Sequence, residues 1–487
     1  MFITAFLIAI VWTWFQYGVG AAVVLSLLGF VLFSACLRWR SLWFIALSVW
    51  VLASLEVNVG HVLTKEHQHE VYPLTVCVSQ SPKIFSDDYT SAYASVVNQP
   101  DFLNLRHIKI SLNSAVSTTI PALESGDCLE GDVRLRQPFG RIVPGSFNVD
   151  RYNFAHQIDA FGSFVVVRNV TNTPSFAQKL FLKRYHAFEK SNARDIWAAL
   201  ALGWSYSMSS DLKSTLAANQ IMHIFVVSGM HLAFIGLFVG LFVQWIAFLI
   251  SRFVIVSYKA KMAVVVTLLF FYVALIGFPI PAVRSLIMML IPFLVFWFGV
   301  KLRWYRSLAI AALIITLWHP ESWLSIGPWL SFSSVGLILL VNHWQLIHKV
   351  KWLFSILIFQ FIMSLSILPW AFLGGFQVNL LSFFINLILT PLVTIVGLPV
   401  VALISMTTWQ WPVQLLENGV SYLTGWLARF ADFGFQLHYF HPSLVITVIL
   451  FALYFFWRRQ IVSYIPLLVG MFVFLASTFQ NTTLGIL

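Results

Sequence analysis

Long apolar runs, separated by short polar loops, occupy most of the chain. They are residues 2–15, 19–37, 41–59, 221–250, 262–280, 282–300, 307–319, 323–342, 352–373, 378–406, 442–457 and 461–479. A helix that crosses the hydrocarbon core of a bilayer needs about 20 mainly apolar residues. The pattern therefore predicts a polytopic α-helical membrane protein with about 11–13 spans.

Prolines interrupt two of these regions. Four of them are predicted structural helix breaks, namely Pro279, Pro281, Pro391 and Pro399. The segment 378–406 contains the last two. It is either a re-entrant hairpin or a single span, after which residues 412–432 return across the membrane. Broken backbone at membrane depth must be buried in protein or line a cavity.

Residues 61–195 replace the apolar pattern with a polar region. Five short alternating runs in it predict strands, at 71–80, 93–98, 105–113, 128–137 and 164–170. Strands of this number and length favour an inserted small β-barrel, with an OB-like barrel as the candidate.

The predicted parts of the chain are three N-terminal transmembrane helices (1–60), the β domain (61–175), an amphipathic interfacial helical region (176–215) and a multi-span domain (216–487). A basic nucleic-acid contact is the alternative interpretation of the basic and aromatic residues in 176–202.

Composition supports a membrane protein, and the placement of charge orients it. The chain is 59% hydrophobic and only 10% charged, whereas soluble proteins carry about 25% charged residues. The formal net charge is +11, but residues 61–195 are nearly neutral, so the basic excess lies in loops between apolar runs. Cytoplasmic loops carry such an excess, which places residues 61–195 on the periplasmic or extracellular side. No basic segment precedes the first apolar run, so we expect it to be a retained span.

Few residues outside the apolar runs suggest chemistry. Cys77 and Cys128 lie on predicted strands, where an oxidising compartment permits a disulfide, and two buried free thiols are the alternative. His67 and His69 form an H-x-H pair without further ligands nearby, so we expect no metal site. No GxxxxGK[ST] phosphate loop occurs. We expect no cofactor and no enzymatic activity.

Polar residues inside the apolar runs are stronger candidates for a functional role. The run HIFVVSGMHL holds His223, Ser228, Gly229 and His231. Polar groups in hydrocarbon face the bundle interior or water, so they either line a pore or form an interhelical hydrogen-bond cluster. In a regular helix the two histidines would share a face. Arg284 either snorkels to the outer headgroups or presents a fixed charge to a polyanion.

Six motifs follow one another along the chain. They are VRLRQPFGRIVPGSFNVDRYNFAHQIDAFGSFVV (133–166), AALALGWSYSMSS (198–210), HIFVVSGMHLAFIGLFVG (223–240), FYVALIGFPIPAVRSLIMML (271–290), WLSIGPWLSF (323–332) and NLLSFFINLILTPLVTIVGLPV (379–400). In this order they resemble the ComEC family of DNA-internalisation competence proteins, whose (I/V)SG(L/M)H element the third motif matches. The resemblance covers about residues 1–480.

The resemblance implies an OB-like domain outside the membrane and a channel that passes single-stranded DNA across the bacterial inner (cytoplasmic) membrane during natural transformation. Many family members also carry a metallo-β-lactamase-like domain, but no HxHxDH run occurs here. We therefore expect a short form without this domain, in which either a separate nuclease supplies the activity or the activity is lacking. The other expected partners are single-stranded DNA, membrane lipids, a DNA receptor and a cytoplasmic motor, and homo-oligomerisation stays open.

Single-stranded DNA is a polyanion with stackable bases, so its path needs basic and aromatic side chains. The candidates are His223, Ser228, Gly229, His231, Arg284, Asn386, Arg106, Lys109, Arg134, Arg136 and Arg141. Two other function classes stay open. A secondary transporter or lipid-handling protein would need an ionisable group at the membrane midplane, and a scaffold would use the β domain to bind another protein.

Overall fold

The computed structural model describes residues 2–37, 40–78, 83–86, 89–113, 126–139, 149–172, 192–203, 208–225, 227, 229–252, 255–343, 355, 381–407 and 409–431. They form a set of apolar helices and one β-barrel. The predicted spans 442–457 and 461–479, and all but one residue of 352–373, lie outside these ranges.

Thirteen α-helices lie within the described ranges. They are α1 (Phe2–Leu37), α2 (Arg40–Val59), α3 (Val149–Ala155), α4 (Asn192–Leu202), α5 (Ser210–Ala218), α6 (Gly229–Ile250), α7 (Tyr258–Leu275), α8 (Ile280–Trp297), α9 (Trp304–Trp318), α10 (Ile326–His343), α11 (Ser382–Leu392), α12 (Leu398–Met406) and α13 (Trp411–Ala431). Within the described ranges, four segments are long and apolar enough to cross a membrane, Met222–Ile250, Tyr258–Leu275, Ile280–Trp297 and Ser382–Ser405. The prediction of a multi-pass membrane protein is confirmed to this extent.

The N-terminal helices pack into the same core as part of the β domain. The first two predicted spans meet at Gly18, where a φ of 83° kinks α1, a conformation that glycine adopts without steric cost. The indole Nε1 of Trp14 donates a hydrogen bond to Glu56 of α2 at 2.6 Å. The ring of Trp14 also lies 5.4 Å from that of Phe154 on α3. Helix α1 thus packs against α3 of the β domain through buried aromatic rings, and α2 is joined to α1 by Glu56.

Residues 71–172 contain a closed five-stranded barrel, which confirms the predicted small β-barrel. The strands are β1 (Val71–Val78), β2 (Lys83–Ser86), β3 (Tyr89–Asn98), β4 (His107–Asn113), β5 (Asp127–Arg136) and β6 (Ala160–Asn172). Their order is β1-β5-β6-β4-β3, and pairing of β3 with β1 closes the barrel. Strands β4 and β6 are parallel, and the other pairs are antiparallel. The short strand β2, which the sequence pattern did not indicate, extends β3 as a hairpin.

The barrel interior is filled by alternate residues of each strand. Val76, Leu129 and Val133 are completely buried, as the period of two in a strand requires when one face is covered. Cys77 and Cys128 are register partners on β1 and β5, and they form a disulfide with an S–S distance of 2.00 Å. The bond joins two neighbouring strands of the closed sheet.

Helix α4 corrects part of the predicted interfacial region. All residues from Asp195 to Leu202 are buried, because α4 packs against α12 and α13 in one core cluster. For residues 192–202, a helix lying on the membrane surface is therefore wrong. The basic and aromatic residues of 176–190 lie outside the described ranges, so the nucleic-acid alternative for that stretch stays a prediction.

The proline-containing segment is one helix rather than a hairpin. Helices α11 and α12 are continuous through a π-helical turn, Val393–Gly397, and α13 then packs back against α12. The re-entrant hairpin, with breaks at Pro391 and Pro399, is thus wrong. Local π turns accommodate the missing proline N–H groups without ending a helix. Pro279 and Pro281 instead begin α8, where proline costs no hydrogen bond.

Candidate nucleic-acid interface

A strip of four side chains crosses the exterior surface of the barrel and alternates between aromatic and basic residues. Tyr93 on β3 pairs with Lys109 on β4. Lys109 pairs with Phe161 on β6, which in turn pairs with Arg136 on β5. Directly opposed residues of neighbouring strands point to the same face of a sheet. These four residues therefore form one continuous strip, called here the aromatic–basic row.

The cation of Lys109 lies between the two aromatic rings of the row. Its Nζ is 5.8 Å from the ring centroid of Tyr93 and 6.0 Å from that of Phe161, within the range of cation–π attraction. Arg136 is exposed at the end of the row. The row thus offers ring faces and positive charge side by side.

A second strip runs parallel to the row and is displaced from it by two residues on each strand. Ser111 pairs with both Ser91 and Ser163, and Ser163 pairs with Arg134 on β5. Arg134 is exposed, as is its neighbour in the row, Arg136. Three of the predicted path residues, Lys109, Arg134 and Arg136, are therefore brought together on one face of the barrel.

Arg106 does not belong to this face. Its guanidinium Nη2 donates to Oδ1 of Asn58 on α2 at 2.9 Å, and its Nε is 3.9 Å from Asp159. Arg106 therefore joins the barrel to the helices, and its contact with DNA stays a prediction. Arg141 lies outside the described residues.

A chain of contacts leads from the row toward the helices. The hydroxyl groups of Tyr93 and Tyr152 share a hydrogen bond. Burial raises the pKa of Tyr93, and the neighbouring Tyr152 raises it further to a smaller extent. The ring of Tyr152 stacks on His156, with 4.0 Å between ring centroids. Burial and, to a smaller extent, the charge of Arg284 lower the pKa of His156. The next residue after His156, Gln157, reaches the helices, because its Nε2 lies 3.3 Å from Nδ1 of His319.

A buried carboxylate holds the barrel and the helices together beside this path. Glu321, in the short helix Pro320–Leu324, is 1% exposed. Its Oε1 accepts a hydrogen bond from Gln157 at 2.7 Å and lies 2.9 Å from Nδ1 of His319. Its Oε2 accepts from Asn58 at 3.0 Å. We call Asn58, Arg106, Gln157, His319 and Glu321 the junction.

Arg284 is buried where α8 meets α10. It is 6% exposed, and its Nη2 lies 3.3 Å from Ser331 Oγ. Its Nε has no hydrogen-bond partner among the described residues. A Cβ on Gly327 of α10 would lie 3.1 Å from Nη2, so glycine there makes room for the guanidinium. Snorkelling of Arg284 to headgroups is therefore wrong, because the surrounding helices enclose the side chain.

Arg284 lines a cavity of about 220 Å³. Most of the lining is apolar or aromatic, and its residues are Phe278, Ile280, Val283, Arg284, Ile315, Trp318, His319 and Ser322. One of them, His319, also belongs to the junction. The cavity therefore lies at the boundary between the helices and the barrel.

The predicted cluster at residues 223–232 is divided in the structure. His223 lies on the short helix Met222–Ile224 and is exposed, whereas His231 is 1% exposed near the start of α6. The shared face was expected only for one regular helix, whereas the two histidines lie on different helices because α6 begins at Gly229. Ser228 lies outside the described residues.

Gly229 brings α6 close to α8. A Cβ at this position would lie only 2.8 Å from the Oγ of Ser285, the residue after Arg284. The two predicted path segments, 223–232 and 279–290, therefore meet. Asn386 is buried on α11, and its Oδ1 has no partner among the described residues.

The chain is similar to known proteins over much of its length. The model of a family described as Competence protein matches residues 200–462, more than half of the chain. The chain belongs to the Competence protein family. The match begins within α4 and includes the helices that carry His231, Arg284 and Asn386, and it leaves the barrel outside.

Two curated proteins are similar in sequence to this Competence family member. The chain is 23% identical over 349 residues to Recombination protein 2 of Haemophilus influenzae, which covers 67% of this chain and 42% of that protein. It is 23% identical over 307 residues to the uncharacterized protein YcaI of Escherichia coli, which covers 60% of this chain and 39% of that protein. The chain spans about two fifths of the length of these relatives. No solved structure gives a significant match.

Sequence reasoning found the basic half of the row and missed the aromatic half. Phe161 lies on β6, which begins at Ala160, ahead of the predicted strand 164–170. Tyr93 begins the predicted strand 93–98, but the sequence does not identify Lys109 as its partner across the sheet. The alternation of polar and apolar residues identifies both rings as outward-facing only if the strand boundaries are known, and the predicted strand 164–170 begins after Phe161.

Proposed function

We propose that this Competence family member passes single-stranded DNA across the bacterial inner membrane during natural transformation, with the barrel on the non-cytoplasmic side as the first contact of the strand. The observation that carries the proposal is the aromatic–basic row. Sequence-independent binding of single strands uses cations for the phosphates and aromatic faces for the bases. The row presents both on a small barrel, a fold class that includes OB-fold nucleic-acid binders.

Charge placement supports this orientation. The basic excess of the chain lies in loops between the apolar runs, as is typical of cytoplasmic loops, and residues 61–195 are nearly neutral. A relative named for recombination is consistent with DNA as the cargo.

The proposal assigns transport and no catalytic step to this chain. Force and strand processing would come from partners, namely a cytoplasmic motor, a DNA receptor and a separate nuclease. The helices α6 and α8, which meet at Gly229 and Ser285, are the proposed walls of the path through the membrane.

Binding of a fluorescein-labelled oligo(dT) of about 20 nucleotides to the purified full-length chain in detergent tests the proposal. We expect Phe161→Ala to weaken binding about 5- to 150-fold, because one base–ring contact contributes about 1–3 kcal/mol. Lys109→Gln and Arg136→Gln should each lower the salt dependence of log K by about 0.7, the value for one phosphate contact on a single strand.

Arg168→Gln is the matched control. Arg168 lies on β6 but pairs with Asp132, with 2.7 Å between Nη2 and each carboxylate oxygen, and it is not in the row. The substitution removes the same charge and should leave the salt dependence unchanged. The proposal would be contradicted by a wild-type chain that does not bind the oligonucleotide at low salt. If the three row variants change oligonucleotide binding no more than Arg168→Gln does, the row is not the interface.

In cells, deletion of the gene should abolish uptake of labelled DNA into the cytosol and leave surface binding intact. Retained uptake would instead favour a transporter of small molecules or lipids.

A further inference from the structure

The guanidinium of Arg284 is a buried positive charge that forms no ion pair within the described residues. Among the described residues, no carboxylate lies within ion-pair distance of it, and within the same part of the chain it donates a hydrogen bond to the neutral hydroxyl of Ser331. The nearby Glu321 is engaged by Asn58, Gln157 and His319. Removing a cation from water without a partner is costly, so an anion that enters the site would be stabilised.

The cavity beside Arg284 suits a group that is anionic on one side and flat and apolar on the other. Phe278 and Trp318 contribute rings to its lining, and both are partly exposed. Its volume of about 220 Å³ is below the roughly 300–1,000 Å³ of pockets that enclose drug-sized ligands. It therefore admits one small unit of a longer molecule.

We propose that this cavity is a phosphodiester-binding subsite that holds one nucleotide of the passing strand, with its phosphate at Arg284 and its base against Trp318 and Phe278. This inference rests on the proposed function. A guanidinium matches a phosphate through two parallel N–H groups, and the unpaired Nε of Arg284 supplies one of them.

A lipid phosphate has the same headgroup chemistry as a nucleotide phosphodiester. The structure favours DNA because the cavity continues the path from the barrel. The contacts run from Tyr93 of the row to Tyr152 and on to His156. The next residue, Gln157, lies 3.3 Å from Nδ1 of His319, which lines the cavity together with Arg284. A strand held on the row would reach Arg284 along these residues.

Photocrosslinking of the full-length chain tests the subsite. The probe is an oligo(dT) in which 5-iodouracil replaces some thymines, and the crosslinked peptides are mapped by mass spectrometry. For the wild type in a phosphate-free detergent, we expect crosslinks both to the row and to the peptides that contain Phe278 and Trp318. Crosslinks to the row without any to the cavity would overturn the subsite and leave the proposed function standing. Absence of binding and of all crosslinks would overturn both.

Two variants separate the role of Arg284 from folding. Arg284→Gln should reduce cavity crosslinks at least tenfold and leave row crosslinks unchanged. Gly327→Ala keeps the charge but places a Cβ 3.1 Å from Nη2 and 3.3 Å from Nη1, so it should displace the guanidinium and produce a similar loss.

Gly336→Ala on the same helix is the control, because its Cβ would lie 3.5 Å from Leu308, an ordinary contact. Equal cavity crosslinking in the wild type and both test variants would overturn the subsite.

The lipid alternative is tested by moving the wild type into nanodiscs that contain phosphatidylglycerol. If a strand occupies the cavity, the crosslinks persist in the nanodiscs. Loss of the cavity crosslinks alone, with the row still labelled, would assign the site to a lipid headgroup and overturn the proposal.

Discussion

The carboxylate of Glu321 accepts a hydrogen bond from the side chain of Gln157, with 2.7 Å between Oε1 and Nε2, across a sequence separation of 164 residues. Gln157 follows the barrel helix α3, and Glu321 lies between the membrane helices α9 and α10. Because Asn58 also donates to this carboxylate, one buried group joins three separate parts of the chain. The barrel is therefore held to the helices by specific polar contacts as well as by apolar packing.

Replacement of Glu321 should weaken this attachment. Glu321→Ala leaves the half-buried donors of Asn58 and Gln157 without their acceptor, at a cost of up to about 1 kcal/mol for each. Glu321→Gln keeps one acceptor oxygen and should cost less. The measurement is the Tm of the purified chain in detergent. Glu66→Ala, at an exposed carboxylate, is the control, and a loss for Glu321→Ala no larger than for this control would contradict the prediction.

Reduction of the Cys77–Cys128 disulfide should destabilise the barrel. The bond closes a loop with a sequence separation of 51, and closing a loop of that length contributes up to about 4 kcal/mol. We expect dithiothreitol to lower the Tm of the wild type and to have no such effect on a Cys77→Ser, Cys128→Ser double variant. Cys36→Ser, which removes the third cysteine, should keep the sensitivity of the wild type. A wild-type Tm that does not respond to reductant would count against a stabilising role.

The protonation of Asp159 should make the stability of the barrel depend on pH. Burial raises the pKa of Asp159 to about 6 from an ordinary value of 3.8, although the N–H groups of His107 and Arg106 oppose the shift. The folded state therefore holds the proton more tightly than the unfolded state does. The resulting stabilisation is fully present below about pH 4 and is lost as the pH rises through about 6.

Between pH 4.5 and pH 7.5 the wild type should lose on the order of 2 kcal/mol of stability that Asp159→Asn does not lose. The measurement is the difference in Tm between the two proteins at each pH. Asp101→Asn, at an exposed turn residue, is the control and should follow the wild type. A constant difference between wild type and Asp159→Asn across this range would refute the pH dependence.

The contact between α6 and α8 should tolerate only glycine at position 229. A Cβ in Gly229→Ala would lie 2.8 Å from Ser285 Oγ and 3.5 Å from Ser285 Cβ, and overpacking of this kind costs about 1–3 kcal/mol. Removal of the hydroxyl in a Gly229→Ala, Ser285→Ala double variant should restore part of the Tm, because only the 3.5 Å contact remains.

Gly240→Ala on the same helix is the control for this crossing. Its Cβ would be 3.9 Å from Val265, so it should leave the Tm unchanged. Additive losses in the double variant would show that the two positions are not coupled.

Much of the architecture could be predicted from local patterns. Apolar runs of span length indicated the membrane helices, and alternation in residues 71–170 indicated the strands, because hydropathy and side-chain period are properties of short segments. The course of single helices was harder to predict. Pro391 and Pro399 suggested a break, but a π turn between them keeps the helix continuous, and the sequence pattern contains no indication of that turn.

The candidate site was predicted as a set of residue types and not as an arrangement. By itself the sequence determined that the protein has apolar spans, that a β domain is inserted between them, and that Lys109, Arg136 and Arg284 are cations available for a polyanion. Only the tertiary structure decided that Lys109 and Arg136 stand beside Phe161 in one row, while Arg284 is enclosed between helices. Strand register and helix packing bring together residues that are distant in the chain, and they depend on complementary surfaces that no short segment of sequence contains.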